Sequence, residues 1–328
     1  SRCGTAAWNT TAPKNSRPSP RRLPNAMHLR LLAAAALLTT LATQETQADE
    51  LGRYEFEAPH MGTRFKIILY APEEATAKRA ADSAFALAAK LDRAFSDYDA
   101  DSELMQLVES GHATVSAELF EILSIALKIA EDTGGAFDVT TAAHTRNWRR
   151  ARITGTLPTK AQIEVAKASS GWRKLALEKD GKDGREVTLG APGMRLDLGG
   201  IAKGYTADAM LAQLKRNGFP IASVAAGGDI AVGDPPPGQS GWKIAIAPDG
   251  ERTAQTLTLA NRAVSTSGNA EQKIRIDGNI YSHIVDPKTG LGLTASSPVS
   301  VIGDRATDTD AFATAFSILG KERSVSIA

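Results

Sequence analysis

The chain has 328 residues, with 38 basic and 37 acidic side chains and a single cysteine. Its hydrophobic content of 42 % is that of a globular protein, not of a disordered or collagen-like one, and the length suffices for a sizeable core. A formal charge of +1 gives no general attraction to nucleic acid, so no nucleic-acid partner is expected.

The first 48 residues are predicted to lie outside the globular part. Residues 1–26 are rich in Pro, Ser and Arg, and we interpret them as an upstream extension or a mis-set start. Residues 27–48 are typical of a signal peptide, with Arg30 before a short apolar run and small residues up to Ala48. The run is shorter than the ~20 residues that a membrane span needs, which favours export to the periplasm or cell envelope.

Residues 49–328 would form the exported part. Six basic residues and one acidic residue lie before them, which leaves 32 basic and 36 acidic side chains and a formal charge of −4. This part has no cysteine, which excludes a disulfide framework, a thiol nucleophile and a lipid-anchoring lipobox cysteine. Its chemistry must use oxygen and nitrogen groups and, where a metal takes part, a hard one.

The first half of the exported part predicts one strand and three helices. Alternating apolar residues predict a strand over 64–71, and an Ala-rich stretch with helical spacing predicts a long helix over 73–95. A second helix is predicted over 116–133, where two glycines stop it. Thr159 and Gln162 resemble the capping box of a third helix.

The second half predicts mostly short strands around two helices, over 200–217 and 306–319. The strands are predicted over residues 174–178, 185–189, 194–198, 221–226, 242–247, 256–259, 273–276, 281–285 and 299–302. Helices and strands mix without a strict βαβ alternation, which favours an α+β fold over a doubly wound parallel sheet.

The densest chemical signal is the segment Asp197-Leu-Gly-Gly-Ile-Ala-Lys-Gly-Tyr205. A carboxylate ends a predicted strand, two glycines turn the chain, and Lys203 lies in the first turn of the following helix. Free N–H groups at a helix start, with a lysine beside them, suit a phosphate or pyrophosphate. The segment matches neither the Walker nor the Rossmann pattern, and a tight turn with a solvated lysine is the alternative.

Two further places carry candidate groups. Asp310 and Thr314 share one helix face at i and i+4 and offer hard oxygen ligands for Mg²⁺; the alternative is a helix N-cap formed by Asp308. His283 follows a predicted strand, where it could move a proton, bind a phosphate or simply hydrogen-bond within the turn.

The joint order of the motifs resembles the ApbE family, the FAD:protein FMN transferases. In chain order they are His60-Met-Gly-Thr63, Phe95-Ser-Asp-Tyr98 with Asp101-Ser-Glu-Leu104, Gly135-Ala-Phe-Asp-Val-Thr140, Asp197-Leu-Gly-Gly-Ile-Ala-Lys-Gly204, Gly227-Gly-Asp229, Ser265-Thr-Ser-Gly268, His283-Ile-Val-Asp-Pro287 and Asp310-x-x-x-Thr314. The resemblance spans residues 54–320, nearly all of the exported part.

The resemblance implies a single α+β, T-fold-related domain over residues 49–328, with mixed, largely antiparallel sheets flanked by helices. It also implies an enzyme that uses FAD and Mg²⁺ to attach FMN, through its phosphate, to a Thr or Ser of a target protein and releases AMP. The expected partners are subunits of membrane redox complexes or flavin-carrying electron-transfer proteins. Their acceptor pattern resembles Asp-x-x-Thr/Ser-Gly/Ser-Ala-Thr/Ser.

Site residues follow from the same resemblance. Asp310 and Thr314, with the main-chain carbonyl of Gly200, match Mg²⁺ ligands, and Lys203, Asp197 and His283 match positions along FAD. The positions around the flavin and adenine ends are matched by Met61, Tyr98, Gly135, Ala136 and Phe137. We expect Lys203 and Asp310 to take part in catalysis, with His283 as the candidate base for the acceptor hydroxyl.

Other functions remain open on the sequence alone. One alternative is a hydrolase of the same fold that cleaves FAD to FMN and AMP. Another is a non-enzymatic FAD-binding protein, which the Asp310 and Thr314 pair disfavours because simple flavin binding needs no metal. A flavin carrier is disfavoured, because Asp138-Val-Thr-Thr141 begins like the acceptor pattern but continues Ala-Ala-His. Two departures from the family are Ala226, where a polar residue is common, and the end of the chain at Ala328, which makes a truncated C-terminus an expectation.

Overall fold

The structure is a computed structural model in which residues 51–180, 184–246, 255–267, 273–294 and 298–328 are described. The predicted extension and signal peptide lie outside these residues. Within them, no helix combines the length and the apolar character that crossing a membrane requires.

Helices and antiparallel strands alternate irregularly along the described residues. The helices are α1 (Glu74–Phe95), α2 (Glu103–Ser110), α3 (Ala117–Asp132), α4 (Ala142–Thr154), α5 (Lys160–Ala168), α6 (Ala202–Arg216), α7 (Ala306–Leu319) and α8 (Lys321–Ile327). The strands are β1 (Gly52–His60), β2 (Thr63–Ala71), β3 (His112–Thr114), β4 (Leu175–Asp180), β5 (Gly184–Leu189), β6 (Ala222–Ala226), β7 (Asp229–Val232), β8 (Trp242–Ile246), β9 (Gln255–Leu259), β10 (Arg262–Ser267), β11 (Ile274–Ile276), β12 (Asn279–Tyr281), β13 (Val285–Asp286), β14 (Leu291–Gly292) and β15 (Val299–Gly303).

The main sheet has six strands in the order β1-β2-β6-β7-β10-β15. All neighbouring strands in it are antiparallel, and three smaller two-stranded sheets and the three-stranded sheet β3-β5-β4 accompany it. The expectation of an α+β fold with largely antiparallel sheets is therefore confirmed.

One face of the main sheet packs against α1 and α6. Phe65, Ile67 and Leu69 alternate along β2 and are fully buried, which confirms the strand predicted from their spacing. They join a core that includes five alanines of α1 and, on α6, Met210 and Leu214. The small alanine side chains let α1 approach the sheet closely. Met210 and Leu214 are buried in the same core, which holds α6 against the sheet.

A second core lies under α3 and α7. It joins Leu119, Ile122 and Leu123 of α3 to Phe316 of α7 and to the apolar residues around the 196–201 turn. The helix α7 also packs against β10 and β15 of the main sheet, so it joins this core, and with it the 196–201 turn, to the sheet.

Two predicted strands are wrong. Residues 194–198 form no strand and make only an isolated parallel bridge between Arg195 and Thr141. Residues 281–285 are divided between β12 and β13, with Ser282–Ile284 outside both. In the first case Leu196 and Leu198 are buried in the second core without a sheet ladder. In the second case Tyr281 and Val285 belong to two different ladders.

The N-terminus of α7 is capped from another helix. Asp208, on α6, accepts hydrogen bonds from the backbone N–H groups of Ala306 (2.9 Å) and Thr307 (2.8 Å) and from Thr307 Oγ1 (2.6 Å). Asp308 lies inside the first turn, and α7 has no side-chain cap from its own N-cap residue, Arg305. The alternative of an N-cap by Asp308 is therefore wrong, and Asp208 ties α7 to α6.

We predict that Asp208→Ala lowers the free energy of unfolding by about 2 kcal/mol, because three donors at a buried helix start lose their acceptor. Urea unfolding followed by circular dichroism measures the change. Asp82→Ala is the matched control, since Asp82 is exposed and pairs only with Lys78 one turn away; its expected change is below about 0.5 kcal/mol. Equal effects of the two substitutions would contradict the capping role.

Candidate functional site

A cavity of about 600 Å³ lies where the turns and helix ends converge. Ten of the eleven residues assigned from the family resemblance line it: Met61, Tyr98, Ala136, Phe137, Asp197, Gly200, Lys203, His283, Asp310 and Thr314. Gly135 lines a smaller neighbouring cavity of about 230 Å³ together with Ala136 and Ile318. The roles given to these residues stay predictions, but the structure brings ten of them to one space.

Lys203 is the central cation of this cavity. Its Nζ lies 3.2 Å from Asp229 Oδ2 and 3.2 Å from Asp310 Oδ2, and it donates to the carbonyl oxygen of Gly199 at 3.1 Å. Both carboxylates are nearly inaccessible to solvent. Two carboxylates around one ammonium group leave a formal excess of one negative charge, so the site can accept a further cation.

The pKa values of this group reflect its burial. Burial alone lowers the pKa of Lys203, but the charges of Asp310 and Asp229 outweigh it and hold that pKa above the ordinary lysine value. Burial raises the pKa of the Asp310 carboxyl, against the effect of Lys203. The lysine therefore stays charged, and a positive group close to Asp310 is needed to keep its carboxylate ionised.

Three residues with oxygen donors line the cavity together with Lys203. Asp310 and Thr314 are one turn apart on α7 and both face the cavity. Gly200 lies next to Thr314, since a Cβ on Gly200 would stand 3.2 Å from Thr314 Oγ1. Within the described residues no group of three or more His, Cys, Asp or Glu could hold a metal. The donor set of one carboxylate, one hydroxyl and one carbonyl fits Mg²⁺, which keeps several other positions for water or phosphate.

Close packing of α6 on α7 holds the Asp310 carboxylate. The backbone N–H of Gly204 donates to Asp310 Oδ2 at 3.1 Å. A Cβ on Gly204 would stand 2.1 Å from the carbonyl oxygen of Ala306 and 2.9 Å from Asp310 Cβ. Only glycine permits this approach, so the first turn of α6 binds the Asp310 carboxylate through its backbone.

His283 lies between β12 and β13, with Nδ1 buried and without a hydrogen-bond partner. Burial lowers its pKa, and the positive charges of Arg152 and Lys203 lower it further. The imidazole is therefore neutral at physiological pH and has a free nitrogen, which is the state that a general base requires.

Aromatic and apolar groups line the other walls. Tyr98, in the loop after α1, is 78 % exposed, whereas Phe137 is buried in the second core. Met61 adopts φ +48° in the β1–β2 turn, and its N–H donates to Asp92 Oδ2 at 2.8 Å. This hydrogen bond stabilises a left-handed backbone conformation that is rare for methionine. It thereby holds the β1–β2 turn beside the cavity.

Sequence reasoning missed four charged residues of the cavity: Asp138, Asp229, Arg149 and Arg152. Asp229 follows the Gly227-Gly228 turn and could have been found as a carboxylate at the start of a strand. No sequence pattern indicated that either arginine belongs to the site. The helix α4 that carries them was not predicted, because its apolar residues are too weakly periodic. Arg149 and Arg152 are three apart on α4 and reach the cavity from the same side.

The fold and cavity define an α+β protein whose site combines a half-buried lysine, hard oxygen donors and a neutral histidine, as expected of an enzyme acting on a phosphate-bearing substrate. The model of the ApbE family matches residues 61–328. The chain belongs to the ApbE family.

Curated relatives and solved structures agree with this assignment. The chain is 31 % identical to the FAD:protein FMN transferase of Treponema pallidum, over 81 % of this chain and 79 % of that protein. It is 29 % identical to the Salmonella typhimurium protein of the same name, over 89 % and 86 %. The flavin transferase ApbE from Vibrio cholerae superposes with a TM-score of 0.76 at 27 % identity, over 85 % of this chain and 90 % of that one.

We predict that His144 and His283 reduce the stability of the protein between pH 7 and pH 5. Burial lowers the pKa of both side chains, while the unfolded chain binds protons near the ordinary value of about 6.5. At these two side chains the unfolded state then holds more protons in this range, so their contribution to the free energy of unfolding falls as the pH falls. The Asp310 carboxyl, whose pKa burial raises to about 7, contributes in the opposite direction.

Urea unfolding at the two pH values measures the loss, and His283→Gln should lessen it by removing one of the two buried imidazoles. An identical loss in the wild type and in this variant would show that His283 does not contribute.

Proposed function

We propose that this chain transfers FMN from FAD to a Thr or Ser hydroxyl of a target protein, with Mg²⁺ as cofactor and AMP as the leaving product. Family membership and the curated relatives named FAD:protein FMN transferase support FMN transfer to a protein. The observation that carries the proposal is the Lys203 cluster, in which a cation and two carboxylates lie in one cavity with a free histidine.

The reaction exchanges one phosphorus–oxygen bond for another. The acceptor hydroxyl oxygen attacks the phosphorus on the FMN side of the pyrophosphate, and the bond from that phosphorus to the bridging oxygen breaks. The bridging oxygen leaves with AMP. His283 would accept the proton of the hydroxyl, since its lowered pKa keeps the imidazole neutral.

Lys203 supplies fixed positive charge where negative charge collects. Its ammonium group stays protonated between Asp229 and Asp310 and is already held in place before the substrate binds. A charge that is already in place in a partly enclosed cavity stabilises the transition state without reorganisation.

Asp310, Thr314 and the carbonyl of Gly200 would hold Mg²⁺. When bound, the ion neutralises charge on the phosphate oxygens. Asp310 then has two roles in this chain: it is a ligand for the ion and it orients Lys203 through their ion pair at 3.2 Å.

The acceptor and the location belong to the same proposal. The acceptor would carry a pattern like Asp-x-x-Thr/Ser-Gly/Ser-Ala-Thr/Ser and would be a membrane redox subunit or a flavin-carrying electron-transfer protein. The signal-like residues 27–48 support export, so the enzyme would act in the periplasm or at the cell envelope.

The deciding experiment incubates residues 49–328 with FAD, Mg²⁺ and a protein bearing the acceptor pattern. A mass gain equal to FMN less water on the acceptor, with AMP released and both lost with a chelator, is the expected result. AMP and free FMN with an unmodified acceptor would assign a hydrolase instead. FAD binding without AMP would leave only a binding protein.

We predict that Asp310→Asn reduces transfer by at least about a hundredfold and removes its response to Mg²⁺. The amide keeps the size of the side chain and an acceptor for the Gly204 N–H but lacks the charge. Asp308→Asn is the matched control, because Asp308 is on the same helix and does not line the cavity. Transfer rates at increasing Mg²⁺ distinguish the two, and a wild-type response in Asp310→Asn would refute the ligand role.

We predict that His283→Gln lowers the transfer rate by about 10²–10⁴-fold with little change in FAD affinity. Glutamine can hydrogen-bond but cannot accept the hydroxyl proton. Single-turnover rates and FAD titrations separate the two effects. Unchanged transfer in this variant would exclude His283 as the base.

A further inference from the structure

Arg149 joins three parts of the cavity wall. From α4, its Nη1 donates to Asp97 Oδ2 at 2.6 Å, and its Nη2 lies 3.5 Å from Asp197 Oδ2. Its guanidinium carbon stands 4.5 Å from the centre of the Tyr98 ring. One side chain therefore contacts the loop after α1 and the residue that begins the turn before α6.

The Tyr98 ring has one covered face and one available face. Arg149 stacks over it, yet the residue remains 78 % exposed and lines the cavity. No hydrogen bond of the Tyr98 hydroxyl is found within the described residues, so the ring depends on Arg149 and on its backbone for orientation. The backbone N–H of Tyr98 is near Ser96 Oγ, at 3.3 Å, which fixes the loop but not the ring.

Asp197 links the same arginine to the phosphate side of the cavity. Its Oδ1 accepts from the N–H of Gly199 at 2.8 Å, while its Oδ2 faces Arg149. Gly199 in turn accepts from Lys203. The aromatic wall and the cation cluster are thus connected by a short chain of charged contacts.

We propose that Arg149 is a positioning residue that holds the Tyr98 ring against one face, so that the opposite face is preset to stack on a planar ring of FAD. The identity of that ring system rests on the proposed function. A guanidinium suits this task because it is planar, always charged, and binds two carboxylates while stacking on an aromatic face. An ammonium group would keep the charge but lose the fork geometry.

FAD titration of the full chain, followed by quenching of flavin fluorescence, tests the proposal. Arg149→Ala is expected to raise Kd for FAD about three- to tenfold and to reduce the quenching, as loss of an ordered aromatic stack predicts. Arg149→Lys should recover only part of the affinity. Arg150→Ala is the matched control, because Arg150 is exposed on the same helix and does not line the cavity; it should bind like the wild type.

A double-mutant cycle separates positioning from direct contact. If Arg149 acts through Tyr98, Arg149→Ala has no further effect in a Tyr98→Ala background. A full, additive loss in that background would mean that Arg149 binds FAD itself and would overturn the proposal. An unchanged Kd in Arg149→Ala would overturn it as well.

A measurement without FAD keeps this inference distinct from the proposed function. The chain has five tyrosines, so fluorotyrosine labelling gives few fluorine signals, and that of Tyr98 is assigned by its loss in Tyr98→Phe. In the wild type we expect the Tyr98 fluorine signal to be broad and shifted from the position of free fluorotyrosine. In Arg149→Ala the signal should narrow and move to that position. An unaltered signal would show that Arg149 does not hold the ring, whereas failure of the wild type to bind FAD would overturn the proposed function alone.

Discussion

The ion cluster of Lys203 with Asp229 and Asp310 is the constraint on which the rest of the site depends. Burying the carboxylates of Asp229 and Asp310 is favourable only if the lysine meets both at short range, because isolated buried charges are very costly. The three residues come from α6, β7 and α7, so the cluster fixes these elements relative to one another. It also leaves one formal negative charge uncompensated, which supports the proposed binding of a cation.

Close helix packing makes that cluster possible. Gly204 allows the first turn of α6 to touch the start of α7, and Asp208, one turn further along α6, caps α7. The same pair of helices thus provides a backbone donor to Asp310 and an acceptor for the helix start. Stability and chemistry share these contacts: a change that separates α6 from α7 would weaken the fold and move the proposed ligands.

The two ends of the cavity differ in character, as a dinucleotide substrate requires. Charged and oxygen-donor groups surround Lys203, while Tyr98, Met61 and Ile284 contribute aromatic and apolar surface. Arg149 and Asp197 lie between them. A pyrophosphate and a planar ring of one molecule could therefore bind at separate places whose spacing is fixed by the protein.

Local patterns were sufficient for some parts of this structure. The alternation at 64–71 and the helical spacing at 73–95 correctly predicted a strand and a helix, because burial of one face sets the period of apolar residues. The Thr159–Gln162 capping box is also present, and the order of short motifs correctly indicated the family. The strand predicted at 194–198 failed because its apolar residues are buried by neighbouring helices and not by a sheet.

The sequence by itself determined the main strand and helix patterns, the family and the residue types for phosphate chemistry. Only the tertiary structure decided which of those residues meet. Lys203 and Asp310 are 107 positions apart, Asp208 and Thr307 are 99 apart, and Arg149 and Asp97 are 52 apart. Local spacing contains no information about such pairs, since their contact depends on how two cores and a six-stranded sheet place separate turns around one cavity.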